Sequence, residues 1–111
     1  MDIAFRRRKL EKIFNLESAL KRNFGDRMAR TIMMRMAVLK NAQTLSLVPT
    51  TKPDRRHQLK GDRDEQYAVD LVPPFRLIFE PNHDPIPYND DGNLDIDKVT
   101  AITIIEVIDY H

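Results

Sequence analysis

The sequence predicts an α+β fold, in which an N-terminal αα-hairpin packs on a small antiparallel β-sheet. Apolar residues recur at helical spacing up to about residue 42, and after the proline-containing connector 48–54 the period changes to two. The last apolar run, 99–108, is β-branched and apolar on both faces, which is typical of a central strand covered by helices. We expect residues 1–111 to form a single domain.

The helical half of the chain is interrupted at Gly25-Asp26. Residues 2–6 are predicted to form a short first strand, followed by helices from about 8 to 23 and from about 27 to 42. Glycine suits a left-handed helix end and aspartate suits a helix N-cap, so the two helices should be antiparallel neighbours. The exposed side of this hairpin is predicted to carry six cations: Lys21, Arg22, Arg27, Arg30, Arg35 and Lys40.

Three short strands are predicted between the connector and the last strand, at 56–60, 66–72 and 76–80. Gly61-Asp62 ends the first of them, and Pro73-Pro74 turns the second into the third. Residues 81–98 contain three prolines, one glycine, five aspartates and three asparagines. This composition predicts a mobile loop.

The net charge of +1 conceals a separation of charge along the chain. Residues 1–63 carry 16 Lys and Arg against 6 Asp and Glu, whereas residues 64–111 carry 2 against 11. The basic half should be attracted to a polyanion such as nucleic acid. The absence of cysteine excludes disulfides and thiolate metal sites. There is no apolar run long enough to span a membrane and no secretory pattern, so we expect a cytoplasmic protein without a membrane partner.

Several polar side chains lie beside apolar strand patterns: His57, Lys60, Arg76, Tyr110 and His111. This combination suits phosphate chemistry without a metal. Histidine titrates near neutral pH, arginine donates two hydrogen bonds to phosphate oxygens, and tyrosine can stack on a base. A metal site built from the three histidines is not expected, because they lack the i,i+4 spacing of a helical site.

Four motifs in this order resemble the RelE/ParE superfamily, and more closely its HigB branch, the "killer protein" toxins of type II toxin–antitoxin systems. They are the runs Arg56-His57-Gln58-Leu59-Lys60-Gly61, Tyr67-Ala68-Val69-Asp70-Leu71, Phe75-Arg76-Leu77-Ile78-Phe79 and Asp109-Tyr110-His111. The resemblance covers essentially the whole chain. Residues 81–98 depart from it, because this segment is longer and more acidic than the usual turn before the last strand.

The resemblance implies a ribosome-dependent mRNA endonuclease that inhibits translation, needs no metal or cofactor, and is neutralised by a HigA-like helix-turn-helix antitoxin. Arg76 and Lys60 would bind the scissile phosphate, His111 would carry a proton, His57 would share the other transfer, and Tyr110 would stack on the target nucleotide. Six further cations are expected to contact the phosphates of messenger or ribosomal RNA: Arg6, Arg7, Arg8, Lys9, Arg55 and Arg56.

Two other functions remain open from the sequence. A ParE-like relative would inhibit DNA gyrase and would need no catalytic residues. A catalytically silent relative would bind RNA or a protein partner without turnover.

Overall fold

The computed structural model describes residues 1–109, so the expectations for Tyr110 and His111 lie outside the described residues. Within that range the chain has an α+β fold with three α-helices and a five-stranded mixed sheet. The α+β class predicted from the sequence is therefore confirmed. In chain order the elements are β1 (Asp2–Phe5), α1 (Arg8–Phe14), α2 (Glu17–Phe24), α3 (Asp26–Asn41), β2 (His57–Gln58), β3 (Tyr67–Asp70), β4 (Phe75–Pro81) and β5 (Ala101–Asp109).

The first predicted helix is in fact two helices, so the N-terminal region is not a simple αα-hairpin. Asn15 ends α1 in a helical conformation, and its amide donates to the Glu11 carbonyl at 3.0 Å. Leu16 is extended, with φ of −132°, and α2 begins after it. The second predicted break is present, because Gly25 has a φ of +82° between α2 and α3, where glycine is favoured.

The strands lie in the order β1-β5-β4-β3-β2. All neighbours are antiparallel except β1, which is parallel to β5, so the expectation of a purely antiparallel sheet was wrong. The strand β5 lies inside the sheet between β1 and β4, but the middle of the five positions belongs to β4. Hydrophobic periodicity describes the faces of one strand and carries no information about which strand lies beside it.

The helices cover one face of this sheet. Ile32 and Leu39 of α3 are buried in the same apolar cluster as Phe79 of β4 and Ile104 of β5. The next residue, Ile105, is also buried, in a smaller cluster on the opposite face with Leu59, Ala68 and Ile78. Apolar residues of β5 are therefore buried on both faces of the sheet, which explains why most of its sequence is apolar.

The acidic segment 82–98 is folded on itself, in contrast to the mobile loop expected from its composition. Tyr88 and Leu94 form an isolated β-bridge, and the Asn89 side-chain oxygen accepts hydrogen bonds from the amides of Asp91 and Asn93, each at 3.0 Å. The Ile96 carbonyl accepts from the Ser46 amide at 3.1 Å. This segment joins the end of β4 to the start of β5, so it lies at the end of the sheet away from the β3–β4 turn.

No helix among residues 1–109 is both long enough and apolar enough to cross a membrane.

Candidate phosphate-binding cleft

A cleft of about 390 Å³ opens beside the turn between β3 and β4. Three cations and one carboxylate supply its charged groups, and prolines and apolar side chains complete its wall. This excess of positive charge suits an anionic ligand of phosphodiester size. The lining residues are Lys52, Arg55, Asp70, Leu71, Pro73, Pro74, Phe75 and Arg76.

The β3–β4 hairpin places Asp70 and Arg76 directly opposite each other. Residues paired in this way share a sheet face, and here the face is that of Ala68 and Ile78, away from the helices. The Arg76 Nε lies 3.7 Å from the Asp70 Oδ1, and each side chain is 23% exposed. Arg76 therefore lies in a half-buried position beside an anion, where its guanidinium is held close to the sheet.

A second guanidinium, that of Arg55, reaches the same carboxylate from the connector before β2. Its Nε donates to the Asp70 Oδ2 at 2.6 Å, and its Nη2 donates to the Oδ1 at 3.3 Å. The hydrogen bond and the negative charge of Asp70 raise the pKa of Arg55. Arg55 has a φ of +48°, a left-handed conformation that costs a non-glycine residue about 1 kcal/mol or more.

Beneath the cleft lies a buried ion pair between Arg35 of α3 and Asp54 of the connector. Their relative exposures are 7% and 6%, so the expectation that Arg35 lies on the exposed side of the helix was wrong. The Arg35 Nε donates to the Asp70 backbone carbonyl at 2.6 Å and lies 3.8 Å from the Asp54 Oδ1. A buried guanidinium requires such partners, and here they join the helix, the connector and β3.

The sequence contains a signal for this burial, because Arg35 follows Ile32 by three residues and precedes Leu39 by four. That spacing places it on the buried stripe of α3. Asp54 and Lys52 have no comparable signal, since both lie in an irregular connector.

His57 lies on the sheet face that carries Asp70 and Arg76. It is paired with Ala68, which is paired with Ile78, so two strand spacings of roughly 5 Å each separate it from β4. Its Nδ1 is 2.8 Å from the Arg55 carbonyl oxygen, and its Nε2 is buried without a hydrogen-bond partner among the described residues. The structure thus brings Arg55 and Arg76 together at Asp70, while His57 contacts the Arg55 backbone and does not line the cleft.

The other expected site residues lie elsewhere or outside the described chain. Lys60 is exposed and immediately precedes the 3₁₀ turn Gly61–Arg63, at the end of the sheet away from the cleft. Tyr110 and His111 are not described, but Asp109, which precedes them, lies opposite Phe75 in the β4–β5 ladder, one residue from Arg76.

The expected RNA-contacting cations are divided between two edges of the sheet. Arg6 follows the edge strand β1, and its Nη2 donates to a Glu80 oxygen at 2.6 Å. The next three cations, at the start of α1 and just before it, are exposed. Arg56 lies near the opposite edge, and its Nε donates to the Val48 carbonyl at 3.0 Å, which stabilises the connector. Of these cations only Arg55 lines the cleft. The three exposed cations are Arg7, which immediately precedes α1, and Arg8 and Lys9, its first two residues.

No group of three or more His, Asp or Glu side chains within residues 1–109 is arranged to hold a metal ion. His83 instead accepts a hydrogen bond at its Nε2 from the Thr100 amide, at 3.0 Å, and so connects the acidic segment to the start of β5.

Comparison with solved structures relates this fold to bacterial toxins. A YoeB/ParE toxin from Agrobacterium tumefaciens superimposes with a TM-score of 0.60, and the match covers 100% of each chain at 11% sequence identity. No protein-family model matches the sequence, and no curated protein matches it either. The fold of this chain is therefore similar to that of this YoeB/ParE toxin, and the likeness concerns the fold alone.

Proposed function

We propose that this protein is the toxin of a type II toxin–antitoxin system and cleaves mRNA on the ribosome, without a metal ion. One observation carries the proposal: Arg55 and Arg76 converge on Asp70 in a cleft that lies on a YoeB/ParE-like fold. Two guanidiniums beside each other can bind the oxygens of one phosphodiester and stabilise the charge added in a pentacovalent intermediate. The whole chain, 1–111, would form one cytoplasmic toxin domain.

In this proposal the 2′-hydroxyl next to the scissile phosphate attacks phosphorus and gives its proton to water, while the bond from phosphorus to the 5′-oxygen breaks and that oxygen takes a proton from His111. The products are a 2′,3′-cyclic phosphate and a free 5′-hydroxyl. Arg76 binds the scissile phosphate in the cleft. Lys60, which the sequence led us to expect beside it, lies at the other end of the sheet and has no role on this phosphate in the proposal. His111 carries a proton and Tyr110 stacks on the target base. The position of Asp109 supports these two assignments, because Asp109 lies opposite Phe75, which lines the cleft.

The acidic segment 82–98 does not oppose this function, although five aspartates would repel RNA at close range. It follows the far end of β4, whereas Arg76 lies near the start of that strand. The six residue steps of β4 span about 20 Å, more than twice the screening length of about 8 Å at physiological ionic strength. RNA in the cleft would therefore experience mainly the local cations.

The test adds purified protein to a translating extract and maps new 5′ ends on the mRNA. Wild type should produce cuts only on translated messages. Arg76→Ala and His111→Gln should lower their rate by about 100-fold or more. Arg22→Ala, which removes an exposed cation of α2, should cut like wild type. Circular dichroism and thermal melting establish that each variant is folded. Cuts that form in Arg76→Ala at the wild-type rate, or that occur without ribosomes, would contradict the proposal.

Inhibition of DNA gyrase is the alternative, and the name of the structural neighbour includes ParE. A supercoiling assay with purified gyrase separates the two functions, since loss of supercoiling with intact mRNA in the extract would favour the gyrase inhibitor. Intact mRNA and intact supercoiling would favour the catalytically silent relative. A HigA-like antitoxin should be encoded beside this reading frame and should suppress the activity on co-expression.

A further inference from the structure

His57 and Arg55 are connected by a hydrogen bond that restricts what His57 can do. The His57 Nδ1 lies 2.8 Å from the Arg55 carbonyl oxygen. A carbonyl oxygen only accepts, so Nδ1 must carry the hydrogen. The remaining nitrogen, Nε2, is buried and has no hydrogen-bond partner among residues 1–109. One ring nitrogen is therefore occupied with the backbone, and the other is not accessible to a substrate.

A residue that transfers a proton must come within about 3 Å of the atom that gains or loses it. His57 does not meet this condition with either nitrogen in this arrangement, since Nδ1 donates to Arg55 and Nε2 is enclosed. Its ring belongs to the packed face that holds Ala68 and Ile78. What His57 does contact directly is the backbone of Arg55.

Arg55 needs such a contact because its backbone is in the left-handed region, with φ of +48°. Its amide donates to the Thr51 carbonyl at 2.9 Å, and its own carbonyl accepts from His57 at 2.8 Å. With the backbone held at both groups, the side chain extends to Asp70, where Nε and Nη2 donate at 2.6 and 3.3 Å. The Asp70 carboxylate also lies 3.7 Å from the Arg76 Nε, so Arg55 and Arg76 are held around one anion.

We propose that His57 is a positioning residue, which holds Arg55 in its left-handed conformation, and that Arg55 is a second phosphate-binding guanidinium beside Arg76. This inference rests on the proposed function, because it assigns roles within the same cleft. His57 then contributes to cleavage through Arg55 and transfers no proton itself. Two contacts hold Arg55, and together we call them the clamp. The His57 ring binds the Arg55 carbonyl, and the Asp70 carboxylate binds the Arg55 guanidinium.

The first test compares His57→Asn with His57→Ala in the cleavage assay. An asparagine amide can donate from nearly the same place as Nδ1, but it cannot carry a proton between substrate atoms. We expect His57→Asn to stay within about tenfold of wild type in kcat and His57→Ala to lose about 100-fold, as for a displaced catalytic group. The pH–rate profile should keep its shape in both variants. Gln58→Ala, an exposed neighbour on β2, serves as the matched control and should not change kcat.

A proton carrier gives the opposite pattern. Both His57 variants would then lose about 10²–10⁴-fold, and one limb of the pH–rate profile would disappear. The double variant His57→Ala/Arg55→Ala adds a second criterion. If His57 acts through Arg55, the double variant should be no slower than Arg55→Ala alone, because both substitutions remove the same contribution, that of Arg55. Multiplied losses would overturn the proposal.

Nuclear magnetic resonance tests the clamp without any activity. The ¹⁵N shifts of His57 should report a ring protonated at Nδ1, and the Arg55 Nε–H signal should be protected in wild type and in His57→Asn but lost in His57→Ala. An Nε2-protonated ring, or an Arg55 signal that is unchanged in His57→Ala, would overturn the clamp. If wild type cuts no mRNA, the proposed function fails, while these spectra still decide whether His57 positions Arg55.

Discussion

The two ends of the sheet differ in charge and in how they are held together. At the β3–β4 turn, Lys52, Arg55 and Arg76 surround Asp70, above the buried Arg35–Asp54 pair. At the other end, the segment 82–98 carries five aspartates, and backbone hydrogen bonds and asparagine contacts hold it. A net charge of +1 therefore describes neither end. The difference teaches that the two ends of the sheet carry opposite charge, although ion pairs such as Arg6–Glu80 and Arg63–Glu106 join the basic half of the chain to the acidic half.

Removing cations from the cleft should have the largest effect. Arg76→Ala is expected to lower the rate of mRNA cleavage by about 10²–10³-fold, since it removes a group that stabilises the added charge. Adding Arg55→Ala should cost much less than Arg55→Ala costs alone, because groups that act on one phosphate behave as a unit. Lys98→Ala removes an exposed cation at the end of the acidic segment and should leave the rate unchanged. An equal loss in Lys98→Ala would abolish the distinction between the two ends.

The buried pair under the cleft should dominate stability. Asp54→Ala leaves the Arg35 guanidinium buried without its carboxylate and is expected to lower the free energy of unfolding by about 3 kcal/mol. Asp90→Ala, at an exposed position of the acidic segment, should stay within about 0.5 kcal/mol of wild type. Urea denaturation followed by circular dichroism measures both values. Similar losses in the two variants would mean that Asp54 contributes no more than a surface charge.

The salt dependence of RNA binding should also differ between variants at the cleft and variants at the acidic segment. Lys52→Ala should weaken binding of a short single-stranded RNA and reduce the slope of log K against log salt by about 0.7, the value for one phosphate contact. The double variant Asp90→Asn/Asp91→Asn should change the affinity by less than about twofold at 0.15 M salt, because the distance exceeds the screening length. Fluorescence anisotropy at several salt concentrations measures the affinity and its salt dependence. A change of slope in the aspartate variant would place RNA near the acidic segment.

The smallest effect concerns the acidic end at high pH. The Tyr88 phenol donates a hydrogen bond to the Glu65 carboxylate, and this bond, with lesser contributions from burial and from the charge of Glu65, raises the pKa of Tyr88. A raised folded-state pKa means that the stabilisation is complete below about pH 10 and is lost as the pH rises through the folded value. The difference in unfolding free energy between wild type and Tyr88→Phe should be constant from pH 7 to about 9 and shrink above about 10.

This difference is the quantity to measure, because burial also raises the pKa of Tyr67, which therefore contributes to the alkaline decline in both proteins. Glu65→Gln is the control and should remove the same decline as Tyr88→Phe. A difference that grows with pH would show that the hydrogen bond does not favour the neutral phenol.

Several elements were predictable because their signals are local. The helix expected at 27–42 is α3, Asp26–Asn41, and the strands expected at 76–80 and 99–108 are β4 and β5 with ends displaced by one or two residues. The break between α1 and α2 was not predicted, because Asn15-Leu16 contains neither glycine nor proline. The burial of Arg35 was missed although its spacing indicated it, since an unpaired buried guanidinium is unfavourable and its partner Asp54 is 19 residues away.

The candidate site was also predictable only where its contacts are local in the sequence. The pairing of Asp70 with Arg76 follows from a short turn at Pro73-Pro74, and Arg76 was expected in the site from the sequence. The contact of Arg55 with Asp70, the enclosed ring of His57 and the position of Lys52 were not predictable, because they depend on the path of an irregular connector across the end of the sheet.

The sequence by itself determined the period of each segment, its turns and the separation of positive from negative charge, because these properties depend on residues within a few positions of one another. Only the tertiary structure decided that β1 runs parallel beside β5, that Arg35 is buried, and that two arginines meet at Asp70. These contacts depend on how distant segments pack together. That packing is fixed only when the apolar faces of all the helices and strands are buried at once.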